Sequence, residues 1–308
     1  MIKTNEKLLL VGDNPFHNIS HLSQERARSR TENPGDSKFA ASLIMSSLDN
    51  GANGFMFSVS EATLSILKEL EQYNSFDRLH LHAIVPYAFE YVRLATQLGG
   101  IPGLAKKFGK DILGSKNVKA LGFGLKGVLT GDINAMMKTY LAYEISRVKS
   151  CIPKKAHFDS VLLHQLLTDM ALALDLDWLI KSYIDFLENQ HVTPGFNTGN
   201  FAFLTNKFGA WGIDLCNVII AAPFNKVGFQ MTPSKMECEK ALASLPAPSV
   251  LAISVLAAGY IGPKEAIDYI ATLPNIKGVA VGVSKKSHSQ ETFRFLDERL
   301  NGLSGLPK

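Results

Sequence analysis

The chain has 308 residues, 46% of them hydrophobic and 19% charged. That is ample for a large core and excludes disordered and fibrous classes. No apolar run reaches the roughly 20 residues that span a bilayer. The three cysteines, Cys151, Cys216 and Cys238, lack CxxC spacing and cannot all pair, so a disulfide scaffold is excluded and a reduced, cytoplasmic setting is expected. A net charge of +4 is too small to point to nucleic acid.

Short apolar, β-rich runs alternate with amphipathic runs along the whole sequence. LLLVGDNPFH (8–17) precedes the helical stretch 37–53, in which Leu43, Ile44 and Leu48 keep helical spacing and Gly51 marks a stop. GFMFSVS (54–60) is followed by a helix over 61–73, and LHLHAIVPY (79–87) by helical sequence over 88–98. SVLLHQLLTD (160–169) reads as a fourth strand, followed by a helix over 176–189. The runs 191–199, 217–225, 250–259 and 278–284 repeat the pattern. The helical runs 232–245 and 262–273 carry Pro near a first turn, where its missing N–H costs nothing.

Strands alternating with helices mean βαβ units and a parallel sheet. Eight units without an intervening linker favour one (β/α)8 TIM barrel over residues 1–308. Residues 99–128 do not fit the eightfold count and read as an insertion between the third and fourth units. KALGFGL within it also has the character of a ninth strand; if it held a barrel position, LLLVGDNPF would be the extra one. Residues 106–155 hold 11 Lys and Arg against 3 Asp and Glu, either a solvated lysine-rich face or a surface for an anionic partner.

Reactive side chains of such barrels stand at the C-terminal strand ends and in the loops that follow. The first end offers Asp13, Asn14, His17 and His21; the second, Ser58, Ser60 and Glu61; the third, Tyr87. The fourth offers His164, Gln165 and Asp169, with Asp169 an orienter or a helix cap; the fifth, Asn197, Thr198 and Asn200; the sixth, Asn225, Lys226 and Gln230; the seventh, small residues and Tyr260. The last offers Ser284, Lys285, Lys286, Ser287 and His288, with a helix expected to begin near Ser289. Hydroxyls, two lysines and free N–H groups at a helix start make an anion site, although a solvated loop has the same sequence. His164, in an apolar run, is either a general acid or base or a satisfied core residue. Lys226 would need desolvation to form a Schiff base; otherwise it makes a salt bridge or a phosphate contact. Asp13, His17 and His21 form a weak metal alternative to a simple turn.

In this order the strand ends resemble the aldo-keto reductase superfamily. SVLLH (160–164) is similar to that family's fourth strand, which ends in its catalytic His. VTPGFNTGNF (192–201), NVIIAAPFN (217–225), VLAISVLAAGY (250–260) and GVAVGVSKKSHSQET (278–292) are similar to the later strands and the cofactor-phosphate loop. LLLVGDNPFHNISH resembles the Gly-Asn-Pro opening of divergent members. The resemblance covers residues 8–87 and 158–297. It implies NADP or NAD, held by Asn197, Asn225, Ser284, Lys285, Lys286 and His288. The family's Asp and Tyr are missing from FSVSEATL, and its Lys from AIVPY. Only His164 matches the four catalytic groups. Tyr87, assisted by Lys226, is the replacement acid that the residues offer.

Three readings follow. One is a reductase-like enzyme on a small molecule, binding a nicotinamide nucleotide or a phosphorylated compound at the C-terminal face, with His164 as acid or base. Another is a cofactor-independent lyase, isomerase or hydrolase, metal-assisted or not, on a small anionic metabolite. The third is a non-catalytic nucleotide-sensing barrel.

Overall fold

The computed structural model describes residues 6–17, 36–87, 96–97 and 132–302. Eight parallel strands close into a barrel in sequence order. They are β1 (Leu8–Gly12), β2 (Gly54–Ser58), β3 (His80–Val85), β4 (His157–Leu163), β5 (Thr193–Asn197), β6 (Ile219–Pro223), β7 (Val250–Ile253) and β8 (Ile276–Gly282). Closure is made by β1 against β8, from Leu8↔Gly278 to Gly12↔Gly282. LLLVG is therefore a barrel strand and not an extra one. β3 pairs directly with β4, so the eightfold count closes without 99–128, which lies outside the described residues. The helix expected over 88–98, apart from the helical residues 96–97, and most of the basic stretch also lie there.

The described α-helices are α1 (Ser37–Leu48), α2 (Glu61–Glu71), α3 (Ile133–Lys149), α4 (Gln165–Ala173), α5 (Asp177–Glu188), α6 (Phe201–Ala210), α7 (Lys235–Ala243), α8 (Pro263–Ile270) and α9 (Lys286–Leu300). Local chemistry explains several boundaries. Asp36 caps α1 by accepting from Lys38 N and Phe39 N, and Ser60 with Thr63 closes a capping box on α2. Ser60, a strand-end candidate by sequence, is thus used as a cap. Two boundaries differ from expectation. The fourth strand stops at Leu163 and Gln165 opens a helix, because the His164 side chain itself caps α4. The last helix starts at Lys286, three residues before Ser289, which is buried and bonds Ser47 Oγ of α1 at 2.8 Å. Among the described residues no helix is long and apolar enough to cross a membrane.

The pleat divides each strand into two faces. Leu9, Val11, Phe55, Phe57, Leu81, Ala83, Val161, Phe196, Ile220 and Val279 belong to the layer between sheet and helices. Tyr183 of α5, fully buried there, donates its hydroxyl to Val161 O at 2.7 Å and to Gly195 O at 3.2 Å, which pins α5 across β4 and β5. The barrel interior is a second cluster of Leu8, Leu10, Met56, Ile84, Leu162, Ile219, Ala221, Leu251 and Ala280. Leucines fill it where glycines make room. A Cβ on Gly278 would lie 2.5 Å from Leu8 Cβ and 2.5 Å from its carbonyl oxygen. Gly278→Ala is therefore expected to lower stability by about 1–3 kcal/mol, read as a fall in the urea midpoint. An unchanged midpoint would show that the interior has slack.

One polar pair interrupts this interior. His82 of β3 is 1% exposed, with Nδ1 2.7 Å from Ser160 Oγ of β4, and its Nε2 is buried without a partner among the described residues. Burial pushes its pKa down from 6.5 to about 4; Asp159 opposes the shift, while His80 and Lys277 add to it. The folded state thus binds fewer protons than the unfolded chain between those values, and stability falls as pH drops through that window. The full loss is on the order of 3 kcal/mol. Urea midpoints at pH 7 and pH 4 should separate by correspondingly less in His82→Gln than in the native sequence; equal separations would remove His82 as the cause.

Candidate active site

The C-terminal ends of β1 to β5 are laced together. Asp13, 5% exposed just beyond β1, accepts the Ser58 N–H of β2 at 2.6 Å. Val59 N donates to Ile84 O, and His164 N to Val85 O at 2.7 Å. Asp169 of α4 accepts from Thr198 Oγ1 at 2.5 Å and from Gly199 N at 3.2 Å, fixing the start of α4 to the end of β5.

On this rim stand the groups with chemistry. His17 ends the 3-10 turn Asn14–His17, and its Nε2 lies 3.1 Å from Asp13 Oδ2, both side chains 6% exposed. Its ring lies 4.9 Å from that of Tyr87 at 31°. The carboxylate fixes the imidazole, and the imidazole supports the phenol ring. His164 follows across the β3–β4 seam, where its backbone bonds the residue two before Tyr87. Its Nδ1 accepts the Leu166 N–H at 3.2 Å. A neutral ring accepting at Nδ1 carries its proton on Nε2. Burial lowers the His164 pKa, against an opposing pull from Asp169, so the neutral form holds at pH 7. Asn197, at the end of β5, has a buried Oδ1 without a partner among the described residues.

The remaining candidates divide sharply. Asn225 is fully buried, and its amide accepts from Phe229 N at 2.7 Å and donates to Phe229 O at 2.8 Å. It closes the loop after β6, and both amide ends are spent there. Lys226 pairs with Glu265 of α8 at 2.7 Å, and its side chain is 53% exposed. It is not desolvated, so the condition for Schiff-base chemistry is not met. Glu61 pairs with Arg147 of α3 at 2.7 Å instead of facing a ligand alone. Asp13 and His17 are spent on each other, His21 lies outside the described residues, and among those described no three His, Cys, Asp or Glu could hold a metal.

The anion candidates lie at the start of α9. Lys285 is its N-cap without a side-chain cap bond, Lys286 its first residue, and its first turn holds no acid. Lys286 and His288 are exposed and Lys285 half-buried. Ser284 lines a shallow cleft, about 20 Å³ in volume, with Pro15, Phe16 and the start of α1. At α1 the Asp36 carboxylate already holds the free N–H groups, so of the two helix starts only that of α9 is open to an anion. Beyond β7, Ser254, Ala257 and Ala258 all have positive φ, a turn that small side chains tolerate at about 1–2 kcal/mol per residue.

No family model and no curated protein matches the chain. Two solved structures from Pseudomonas aeruginosa, both named "putative aldo-keto reductase", superpose on it with TM-scores of 0.60 and 0.59. Each alignment covers 95% of this chain and 90% of the other at 11% identity. The chain has an aldo-keto reductase-like fold. At that identity the likeness extends to the barrel and its strand order, and the groups on the rim are this chain's own.

Asp169 ties its carboxylate to the β5 end while raising the His164 pKa against burial. Asp169→Asn should therefore move the His164 titration further down and lower stability by about 1.5–3 kcal/mol. NMR titration of the imidazole and urea unfolding read the two effects separately; an upward shift would contradict this electrostatic assignment.

Proposed function

We propose that the chain is an oxidoreductase that takes a nicotinamide nucleotide, NADP or NAD, at the C-terminal face of the barrel and reduces the carbonyl of a small molecule. The observation that carries this reading is the position of Tyr87 and His164 at the ends of the neighbouring strands β3 and β4, with the Tyr87 ring against the Asp13-held His17 and His164 held as the Nε2–H tautomer. The aldo-keto reductase-like barrel supports it as a matter of fold.

The residues present fit such a nucleotide at two points. The buried, unpartnered Oδ1 of Asn197 can accept from a carboxamide NH2, and the uncapped start of α9 with Lys285 and Lys286 suits a phosphate. Asn225 does not take part. When bound, the nicotinamide supplies the hydride. The chain supplies the rest. His164 Nε2–H donates a hydrogen bond to the carbonyl oxygen, where negative charge develops. Tyr87 gives its phenolic proton to the same oxygen, which leaves as the alcohol. Neutral His164 polarises without protonating, so the two groups do not compete for one role.

Titration with NADPH and NADH, followed by nicotinamide emission, tests the first half. Saturable binding is expected, weakened about tenfold or more by Lys285→Ala with Lys286→Ala. Absence of binding at millimolar nucleotide would end the reading. For the second half, Tyr87→Phe should cut carbonyl turnover by about 10²-fold or more with nucleotide affinity unchanged. Unchanged turnover would remove Tyr87 as the acid.

A further inference from the structure

The outer face of α4 is unlike that of a solvated barrel helix. Its sequence QLLTDMALA contains one charged residue, Asp169, which is turned to Thr198 and Gly199. Leu166, Leu167, Met170 and the C-cap Leu174 are 55%, 39%, 48% and 62% exposed. Trp178 of α5 and Phe203 of α6, on the helices packed to either side, add 44% and 42% exposed rings. Exposed apolar side chains grouped on neighbouring helices mark an interface.

We propose that this face is the two-fold contact of a homodimer. The spacing itself argues for a second copy as the occupant. Leu166, Met170 and Leu174 follow each other at i, i+4 and i+8, one stripe about 12 Å long. The stripe reads Leu–Met–Leu in both directions. A two-fold axis through Met170 sets two α4 helices antiparallel, with Met170 on the partner's Met170 and Leu166 on the partner's Leu174, which is the self-complementarity an isologous interface requires. Charge agrees with the same orientation. Asp175 and Asp177 stand just past the C-terminal end of α4, and its first turn carries no acid. Antiparallel pairing brings those carboxylates toward the positive helix start of the other copy. Lys207 and Lys181 already pair with Asp175 and Asp177 at 2.8 Å each, so the rim opposes no like charge to itself.

Sedimentation velocity on the full chain tests the contact. The native protein is expected to sediment at twice the 33.7 kDa chain mass. Met170→Glu sets like charges against each other on the axis and should give the monomer mass, with circular dichroism and melting temperature unchanged. Leu166→Glu should also dissociate the dimer, and adding Leu174→Lys should restore it, because the two positions face each other only in the antiparallel arrangement. Met170→Cys, with exposed Cys216 replaced by Ser, should form an intermolecular disulfide under mild oxidation, a readout that holds if the glutamate variant fails to fold. A monomeric native chain at its highest soluble concentration, a Met170→Glu protein that remains dimeric, or a Met170→Cys protein that gives no cross-link would each overturn the proposal.

Discussion

Everything in this molecule depends on the parallel ladder between β1 and β8. Without it the sheet is open, and the loops after the strands fan out along an edge. With it, the C-terminal strand ends form one ring, and residues from distant parts of the sequence become neighbours. The ladder is possible because Gly278 of β8 leaves room for Leu8 of β1 and Gly282 leaves room for Pro15 beyond it.

The ring is then tied together at its rim. From β1 to β7, side chains and backbone tie each strand end to the next, through Asp13, Val59, His164, Asp169, Thr198 and Phe224. His17, Tyr87, His164 and Asn197 stand at the ends of β1, β3, β4 and β5. The segments after β6, β7 and β8 offer turns with positive φ and an uncapped helix start.

The barrel was largely legible because both faces of its strands are buried and the apolar runs are conspicuous. Strand ends were less so. VLLHQLL is apolar at period 2 and at helical spacing alike, and His164 is not a usual cap, so nothing local marks where β4 gives way to α4. The apolar run 250–259 outlasts its strand for a similar reason, since small apolar residues continue past Ile253 into the turn. The strand-end rule located the rim but not the direction of each side chain. Asn225 and Lys226 sit at such an address, yet the partners that claim them, the Phe229 backbone and Glu265, are set by loop closure and by a helix 39 residues away. The Asp13–His17 pair was visible as spacing; the contact of the His17 ring with Tyr87 needed the order of β1, β2 and β3. His82 left no signal, because a histidine inside an alternating strand looks the same whether it faces the core or the solvent.

His82 gives the molecule something else: a resident spectroscopic probe. Its imidazole stands in an otherwise apolar interior, 2.7 Å from Ser160, with its second nitrogen buried. The chemical shift of that ring depends on the dielectric and spacing of one layer of the barrel. Any event at the rim that is transmitted down the strands would register there as a displaced resonance, without a label and without altering a residue.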